Sequence, residues 1–176
     1  MRPLTARERH GGAFARLAEM TKHLMAEAAC GVCNKLRAGT GVTLFENDLW
    51  HVRAADDPSG VPGWMMLITR RHAPGPAHFS VQEAQSFGPT LCHLQRVLLE
   101  VTGALRIYTA AMGESSPHFH AHMVPRYQTM PKDAKAWAVF DLQRAAAARE
   151  FPVDDAETAR VAEAYASALR AAPPPL

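Results

Sequence analysis

Three histidines at strict two-residue spacing, His118, His120 and His122, constrain this chain more than any other feature of its sequence. Because side chains alternate between the two faces of an extended strand, the spacing predicts a strand with all three imidazoles on one face. The apolar residues between and after them then face the core: Phe119, Ala121 and Met123. A single histidine in a half-buried strand is more often an ordinary hydrogen-bonded residue. Three histidines on the same face of one strand favour a functional site.

Composition limits the size and the partners of the protein. The chain has 176 residues, 48% of them hydrophobic, which suits one compact domain with its own core. Lysine and arginine number 19 against 17 acidic residues, and a net charge of +2 predicts no nucleic-acid partner. No segment has the length and apolar character of a membrane span, and the first residues lack the apolar core of a secretory signal. We therefore expect a cytoplasmic protein without a membrane partner.

Hydrophobic periodicity predicts an alternation of helices and strands. Helices are expected at residues 6–29, at 80–102 with a Ser80/Glu83 capping-box pattern, and near 156–171, which follows an alanine-rich segment at 137–149. Residues 42–46 and 49–52, around an Asn47-Asp48 turn, are expected to form a strand pair or one bulged strand. Further strands are expected at 64–69, at 105–111 and at the histidine segment. The last two strands are joined by a short turn, which favours antiparallel pairing.

The cysteines point to metal or redox chemistry rather than to a disulfide framework. Cys30 and Cys33 form a Cys-x-x-Cys pair, a spacing that zinc knuckles and thioredoxin-type redox motifs share. Zinc needs two further ligands, and His72 and His118 are the best candidates because imidazole is the usual complement to two thiolates. Cys92, within a helical pattern, is expected to be a buried small hydrophobe.

The central imidazole, His120, then remains as a nucleophile or base at neutral pH. Attack on phosphorus would give a phosphohistidine or a nucleotidyl-histidine, and that step needs donors around the phosphoryl oxygens. The turn at residues 113–116 can supply hydroxyl and N–H groups, although an ordinary hairpin turn explains it almost as well. The remaining histidines carry no spacing signal and are expected at the solvated surface: His10, His23, His51, His78 and His93.

The histidine segment, residues 118–126, resembles the His-φ-His-φ-His-φ-φ signature of the histidine-triad (HIT) superfamily. Three further features fall in the family's order: the Cys-x-x-Cys pair at 30–33, residues 62–72 and the helix capped by Ser80. The resemblance spans about residues 30–127. It implies an α+β fold, often dimeric, in which a long helix packs on an antiparallel sheet, extended here by the N-terminal helix 6–29 and by residues 128–176. We therefore expect a homodimer.

The resemblance also implies roles for individual residues. His120 matches the nucleophile, and His122 matches the third histidine lining the phosphate site. Ser115 matches a residue that hydrogen-bonds the phosphate or the leaving group, and Asp56 falls where many members hold the ribose hydroxyls. From the turn itself we also expect Ser116 and Glu114 to bind the substrate. In zinc-bearing branches the ligands match the set already selected, which implies a structural zinc ion: Cys30, Cys33, His72 and His118.

The chain departs from the family pattern at several positions: Trp64 where many members have histidine, Glu114 in place of glutamine, Pro117, and a small Ala121. We predict a nucleotide hydrolase or nucleotidyl transferase acting on the α-phosphate of a nucleoside phosphoramidate or dinucleoside polyphosphate through nucleotidyl-His120. Two alternatives are open. One is a nucleotide- or partner-binding module, or a repurposed enzyme with a non-nucleotide substrate. The other is a metalloenzyme in which the three histidines share a catalytic metal.

Overall fold

The computed structural model describes residues 27–56, 58–114 and 116–175. Within these ranges the strands are β1 Thr43–Glu46, β2 Trp50–Ala54, β3 Met65–Thr69, β4 Arg106–Ala110 and β5 His120–Arg126. The α-helices are α1 Gly31–Ala38, α2 Val81–Thr102, α3 Val139–Ala147 and α4 Asp155–Ala171, with short 3-10 turns at Pro76–His78 and Ala136–Ala138. The predicted helix at 6–29 lies outside the described residues up to residue 26.

The strands form one antiparallel sheet in the order β1-β2-β3-β5-β4. Strand β5, which carries the histidines, is flanked on both sides: Ile68 of β3 pairs with His120, and Ala110 of β4 pairs with His122. Pairing on both sides satisfies the backbone groups of β5 within the sheet and so fixes the direction of its side chains. The predicted α+β fold, an antiparallel sheet with a long helix packed on it, is confirmed.

The long helix α2 follows from its cap and its apolar stripe. The Ser80 hydroxyl accepts from the N–H of Glu83 at 3.2 Å, and the Glu83 carboxylate accepts from the N–H of Ser80 at 2.6 Å, so the predicted capping box is present. Leu94 and Leu98 are fully buried in the core. The prediction of a buried Cys92 was wrong, because Cys92 lies about 200° around the helix from Leu94 and is exposed.

The main core lies on one face of the sheet. Phe119, Ala121 and Met123 belong to it, as the two-residue alternation predicts. Tyr165 and Leu169 of α4 are fully buried in the same core. Burying a large apolar side chain contributes on the order of 1.5–3 kcal/mol, so α4 is part of what stabilises the sheet.

A second, smaller cluster covers the other face and comprises Val61, Trp64, Val124 and Val139. Val124 is two residues from His122 and shares its face of β5. Since Val139 begins α3, this helix packs on the histidine-bearing face of the sheet. None of the described helices combines the length and apolar character that a bilayer crossing needs.

The surface expectation for the isolated histidines holds only in part. His51 is buried because β2 is an inner strand, and its Nδ1 lies 3.4 Å from the carboxylate of Glu46. Burial lowers the pKa of His51 and outweighs the hydrogen bond to Glu46, which raises it. His78 is exposed as expected, and His10 and His23 lie outside the described residues.

Candidate active site and metal centre

Four buried side chains meet where α1, the end of β3 and the start of β5 come together: Cys30, Cys33, His72 and His118. Their ligand atoms all lie within 4.8 Å of one another. The Cys33 Sγ is 3.4 Å from His72 Nδ1 and 3.2 Å from His118 Nδ1, and the Cys30 Sγ is 3.7 Å from His118 Nδ1. Zinc bonds of about 2.3 Å to sulfur and 2.1 Å to nitrogen place tetrahedral S and N ligands about 3.6 Å apart. The measured separations bracket that value.

The surroundings of this group also suit a divalent cation. The His118 Nε2–H donates to the Thr69 carbonyl at 2.7 Å, which leaves Nδ1 unprotonated and directed at both sulfur atoms. Burial and then the neighbouring Cys30 raise the pKa of the Cys33 thiol to about 12, so a nearby cation is needed to hold it as a thiolate. The predicted ligand set fits a structural zinc ion, and in that site zinc would hold α1 against the strand that begins at His120.

A cavity of about 350 Å³ opens beside the metal group. His120 and His122 line it together with Asp56, Ser116 and Lys35. The structure therefore brings four of the predicted site residues to one concave surface.

One of the described site residues is not part of that surface. Glu114 is exposed and is absent from the cavity lining. Ser115 lies outside the described residues.

The ring of His120 has a defined tautomer. Its Nδ1 lies 2.8 Å from the backbone carbonyl of His118, and a carbonyl oxygen can only accept, so Nδ1 carries the proton. In the neutral ring the other nitrogen, Nε2, then carries no proton and offers its lone pair to the cavity. This is the protonation state that a nucleophilic imidazole requires.

The ring of His122 has the opposite tautomer. The indole N–H of Trp64, which can only donate, lies 3.0 Å from His122 Nδ1, so the proton of a neutral His122 ring is on Nε2. Burial and the neighbouring His120 lower the pKa of His122 to about 4. His122 is therefore neutral at physiological pH and offers an N–H donor next to the unprotonated nitrogen of His120.

The Asp56 carboxylate is held by two cations. The Lys35 ammonium donates to Oδ2 at 2.7 Å, and the Arg53 guanidinium donates to Oδ1. Burial alone would raise the pKa of Asp56, but the hydrogen bonds and charges of Lys35 and Arg53 outweigh it and lower that pKa. Gly41, at φ +89°, leaves the space for Arg53, since a Cβ there would lie 2.8 Å from the guanidinium. Asp56 is thus an oriented, ionised acceptor at the edge of the cavity.

No family model and no curated protein matches this sequence. Solved structures do match. A zinc-bound histidine-triad family protein from Mycobacterium smegmatis superposes with a TM-score of 0.60 at 16% identity, over 83% of this chain and 99% of that one. A HIT-like protein from Bartonella henselae, described as involved in cell-cycle regulation, superposes with a TM-score of 0.59 at 12% identity, over 80% of this chain and 96% of that one. A histidine-triad protein from Bradyrhizobium japonicum superposes with a TM-score of 0.57 at 20% identity, over 77% of this chain and 92% of that one. The chain has the histidine-triad fold.

Within the histidine-triad fold, the three histidines of this chain divide between two sites. His118 faces the two thiols, whereas His120 and His122 line the cavity. The alternative in which all three share one catalytic metal has no geometric support among the described residues, where the metal-ligand group includes only His118 of the three.

Several residues of the site carried no signal in the sequence. Lys35 and Arg53 reach Asp56 from α1 and β2, and their spacing along the chain is irregular. Phe140 of α3 packs against both Trp64 and His122, with ring centroids 5.0 and 5.4 Å apart. Only the departure at Trp64 marked this part of the site, and its partners could not be identified without the fold.

Proposed function

We propose that the protein is a nucleotide hydrolase or nucleotidyl transferase that acts on the α-phosphate of a nucleoside phosphoramidate or a dinucleoside polyphosphate. One observation carries the proposal: the unprotonated Nε2 of His120 shares a cavity with the N–H donor of His122 and the ionised carboxylate of Asp56. A nucleophile, a donor for phosphoryl oxygens and an acceptor for hydroxyls are the groups that this reaction needs.

The reaction proceeds in two displacements. In the first, the Nε2 lone pair of His120 forms a bond to the α-phosphorus, and the bond from phosphorus to the leaving group breaks. The leaving group keeps the electron pair and takes up a proton from solvent. In the second, the oxygen of water or of another acceptor attacks the same phosphorus and loses its proton to solvent, and the P–Nε2 bond breaks with its electron pair returning to His120. With water as acceptor the product is a nucleoside monophosphate.

The histidine ring is prepared for both displacements by the His118 carbonyl. While His120 is nucleotidylated, its Nδ1–H still donates to that carbonyl, which disperses the positive charge that the ring acquires. His122 donates through Nε2–H to a phosphoryl oxygen while its own ring stays uncharged. We assign phosphate or leaving-group contacts to Ser115 and Ser116.

The nucleoside is held at the Asp56 end of the cavity. Lys35 and Arg53 occupy one direction at each carboxylate oxygen, and each oxygen keeps a further lone pair for a hydroxyl. We assign these positions to the 2′- and 3′-hydroxyls of a ribose.

The metal site supports the reaction indirectly. We propose that Cys30, Cys33, His72 and His118 bind a structural zinc ion, a proposal that the zinc-bound relative from Mycobacterium smegmatis supports. The ion would fix the carbonyl of His118, and through it the ring of His120. Two thiolate ligands require reducing conditions, so we place the protein in the cytoplasm.

The test is release of nucleoside monophosphate from a panel of nucleoside phosphoramidates and dinucleoside polyphosphates by zinc-replete protein. We expect turnover by the wild type, its loss in His120→Ala, and its retention in His78→Ala, which removes an exposed imidazole that does not line the cavity. Tight nucleotide binding without turnover in any of the three proteins would contradict the proposal and favour a binding module.

A further inference from the structure

The contact between Trp64 and His122 is the feature of this site that the proposed function leaves unexplained. Trp64 is 3% exposed and does not line the cavity, so it has no access to a substrate. Its indole N–H nevertheless donates a hydrogen bond to Nδ1 of His122 at 3.0 Å. We infer that Trp64 is a positioning residue that fixes His122 as a neutral donor with its proton on Nε2.

The argument rests on what an indole can do. A neutral imidazole can carry its proton on either nitrogen, and a partner that both donates and accepts leaves the choice open. Indole is a donor only, so it stabilises the single tautomer in which Nδ1 is bare. The imidazolium form has a proton on Nδ1 and would meet the indole N–H head-on. Trp64 therefore disfavours protonation of His122 as well as the wrong tautomer.

Phe140 of α3 completes the arrangement. Its ring is nearly perpendicular to those of Trp64 and His122, at 82° and 89°, while the Trp64 and His122 rings are themselves 87° apart with centroids at 5.8 Å. Edge-to-face contacts of this kind each contribute about 0.5–1.5 kcal/mol and restrict ring rotation. Three mutually perpendicular rings thus hold His122 with Nδ1 turned away from the cavity. Helix α3, which follows the triad strand, takes part in positioning the site.

The consequence for the reaction rests on the proposed function. When the α-phosphorus is attacked, negative charge grows on its oxygens, and a donor that is already oriented stabilises that charge without reorganisation. A His122 ring that divides its time between two tautomers would supply the donor only part of the time. Trp64 therefore affects kcat while leaving nucleotide binding, and hence KM, largely unchanged.

The test compares wild type with Trp64→Phe, which keeps an aromatic ring and removes the indole N–H. Nitrogen-15 NMR of the histidine rings at neutral pH reports the tautomer directly. We expect wild-type His122 to be protonated at Nε2 only, and Trp64→Phe to show a mixture of tautomers. We expect kcat of Trp64→Phe to fall about tenfold and KM to stay within about twofold of the wild-type value. The fall in kcat is smaller than the 10²–10³-fold, roughly, that follows the complete loss of an oxyanion donor, because the donor is still present part of the time.

Trp50→Phe is the matched control. It also removes a buried indole hydrogen bond, here to the Ser86 hydroxyl at 2.9 Å, but in the core and away from His122. We expect it to lower stability while the His122 tautomer and kcat stay as in the wild type. An equal fall of kcat in both variants would mean that Trp64 acts only through stability and would overturn the inference.

The wild-type spectrum can overturn the inference even if Trp64→Phe fails to fold. A wild-type His122 protonated at Nδ1, or at both nitrogens, would overturn it whatever the enzyme does. Absence of turnover in the wild type would overturn the proposed function and the kinetic consequence drawn here, whereas the NMR result would still stand. The two failures are therefore distinguishable.

Discussion

Removal of one thiol from the metal centre should change stability by an amount that can be worked out in advance. The Cys33 Sγ faces the Nδ1 atoms of both His72 and His118, so Cys33→Ser removes a ligand that contacts two others. A ligand at about 1,000 times its dissociation constant stabilises the folded state by about 4 kcal/mol. For a domain of this size about 1 kcal/mol shifts Tm by about 2–4 °C, so loss of zinc should lower Tm by about 8–16 °C.

The assay combines metal analysis with thermal unfolding at one fixed concentration of free zinc. Wild type should carry one zinc per chain and lose the full Tm difference when a strong chelator is added. Cys33→Ser should carry none and be insensitive to the chelator. Cys92→Ser is the control, because Cys92 is exposed and lies outside the ligand group, and it should behave as the wild type does. Zinc retained by Cys33→Ser, or a wild-type Tm that ignores the chelator, would refute the assigned ligand set.

Three further predictions concern other parts of the molecule. The pKa of His122 is about 4 in the fold against 6.5 in the unfolded chain, so the unfolded chain binds more protons and stability falls as the pH drops from about 6.5 to about 4. That loss amounts to about 3 kcal/mol of unfolding free energy, and urea unfolding at several pH values should show it in the wild type but not in His122→Gln. Equal pH slopes of stability in the two proteins would contradict the prediction. In steady-state kinetics, Asp56→Asn should raise KM about tenfold for ribonucleotide substrates and leave KM for 2′,3′-dideoxy analogues unchanged. An equal rise for both kinds of substrate would contradict the assignment of Asp56 to the ribose hydroxyls. Gly60→Ala places a Cβ 2.5 Å from the carbonyl oxygen of Leu142 and should lower the free energy of unfolding by about 1–3 kcal/mol, measured by thermal unfolding. Gly88→Ala, which has open space around it, should not destabilise the protein, and similar Tm values for the two variants would contradict the close packing at Gly60.

The sequence predicted the elements whose determinants are local. The two-residue alternation predicted which residues after His118 enter the core, and the Ser80/Glu83 pattern predicted the start of α2 within one residue. The zinc ligands could be selected because Cys30-x-x-Cys33 limits the choice of partners to a few imidazoles. In each case the residues that decide the structure are close in sequence or belong to a very small set of residue types.

The remainder depends on contacts between distant segments. Cys92 was expected to be buried because its neighbours in the helix are apolar, yet its angular position turns it to solvent. The two cations on Asp56 and the packing of Phe140 on His122 arise where separate elements meet. Charge pairs and ring contacts of this kind leave no period in the sequence, so only the assembled sheet and its helices reveal them.

The most direct test of the central claim is to trap the covalent intermediate. Zinc-replete wild-type protein would be mixed with a nucleoside phosphoramidate, quenched in alkali, where a phosphorus–nitrogen bond to imidazole survives, and examined by peptide mass spectrometry. The account predicts a peptide heavier by one nucleoside monophosphate less water, with the modification on His120 and absent from His120→Ala. Turnover with no adduct, or an adduct on a residue other than His120, would contradict the account.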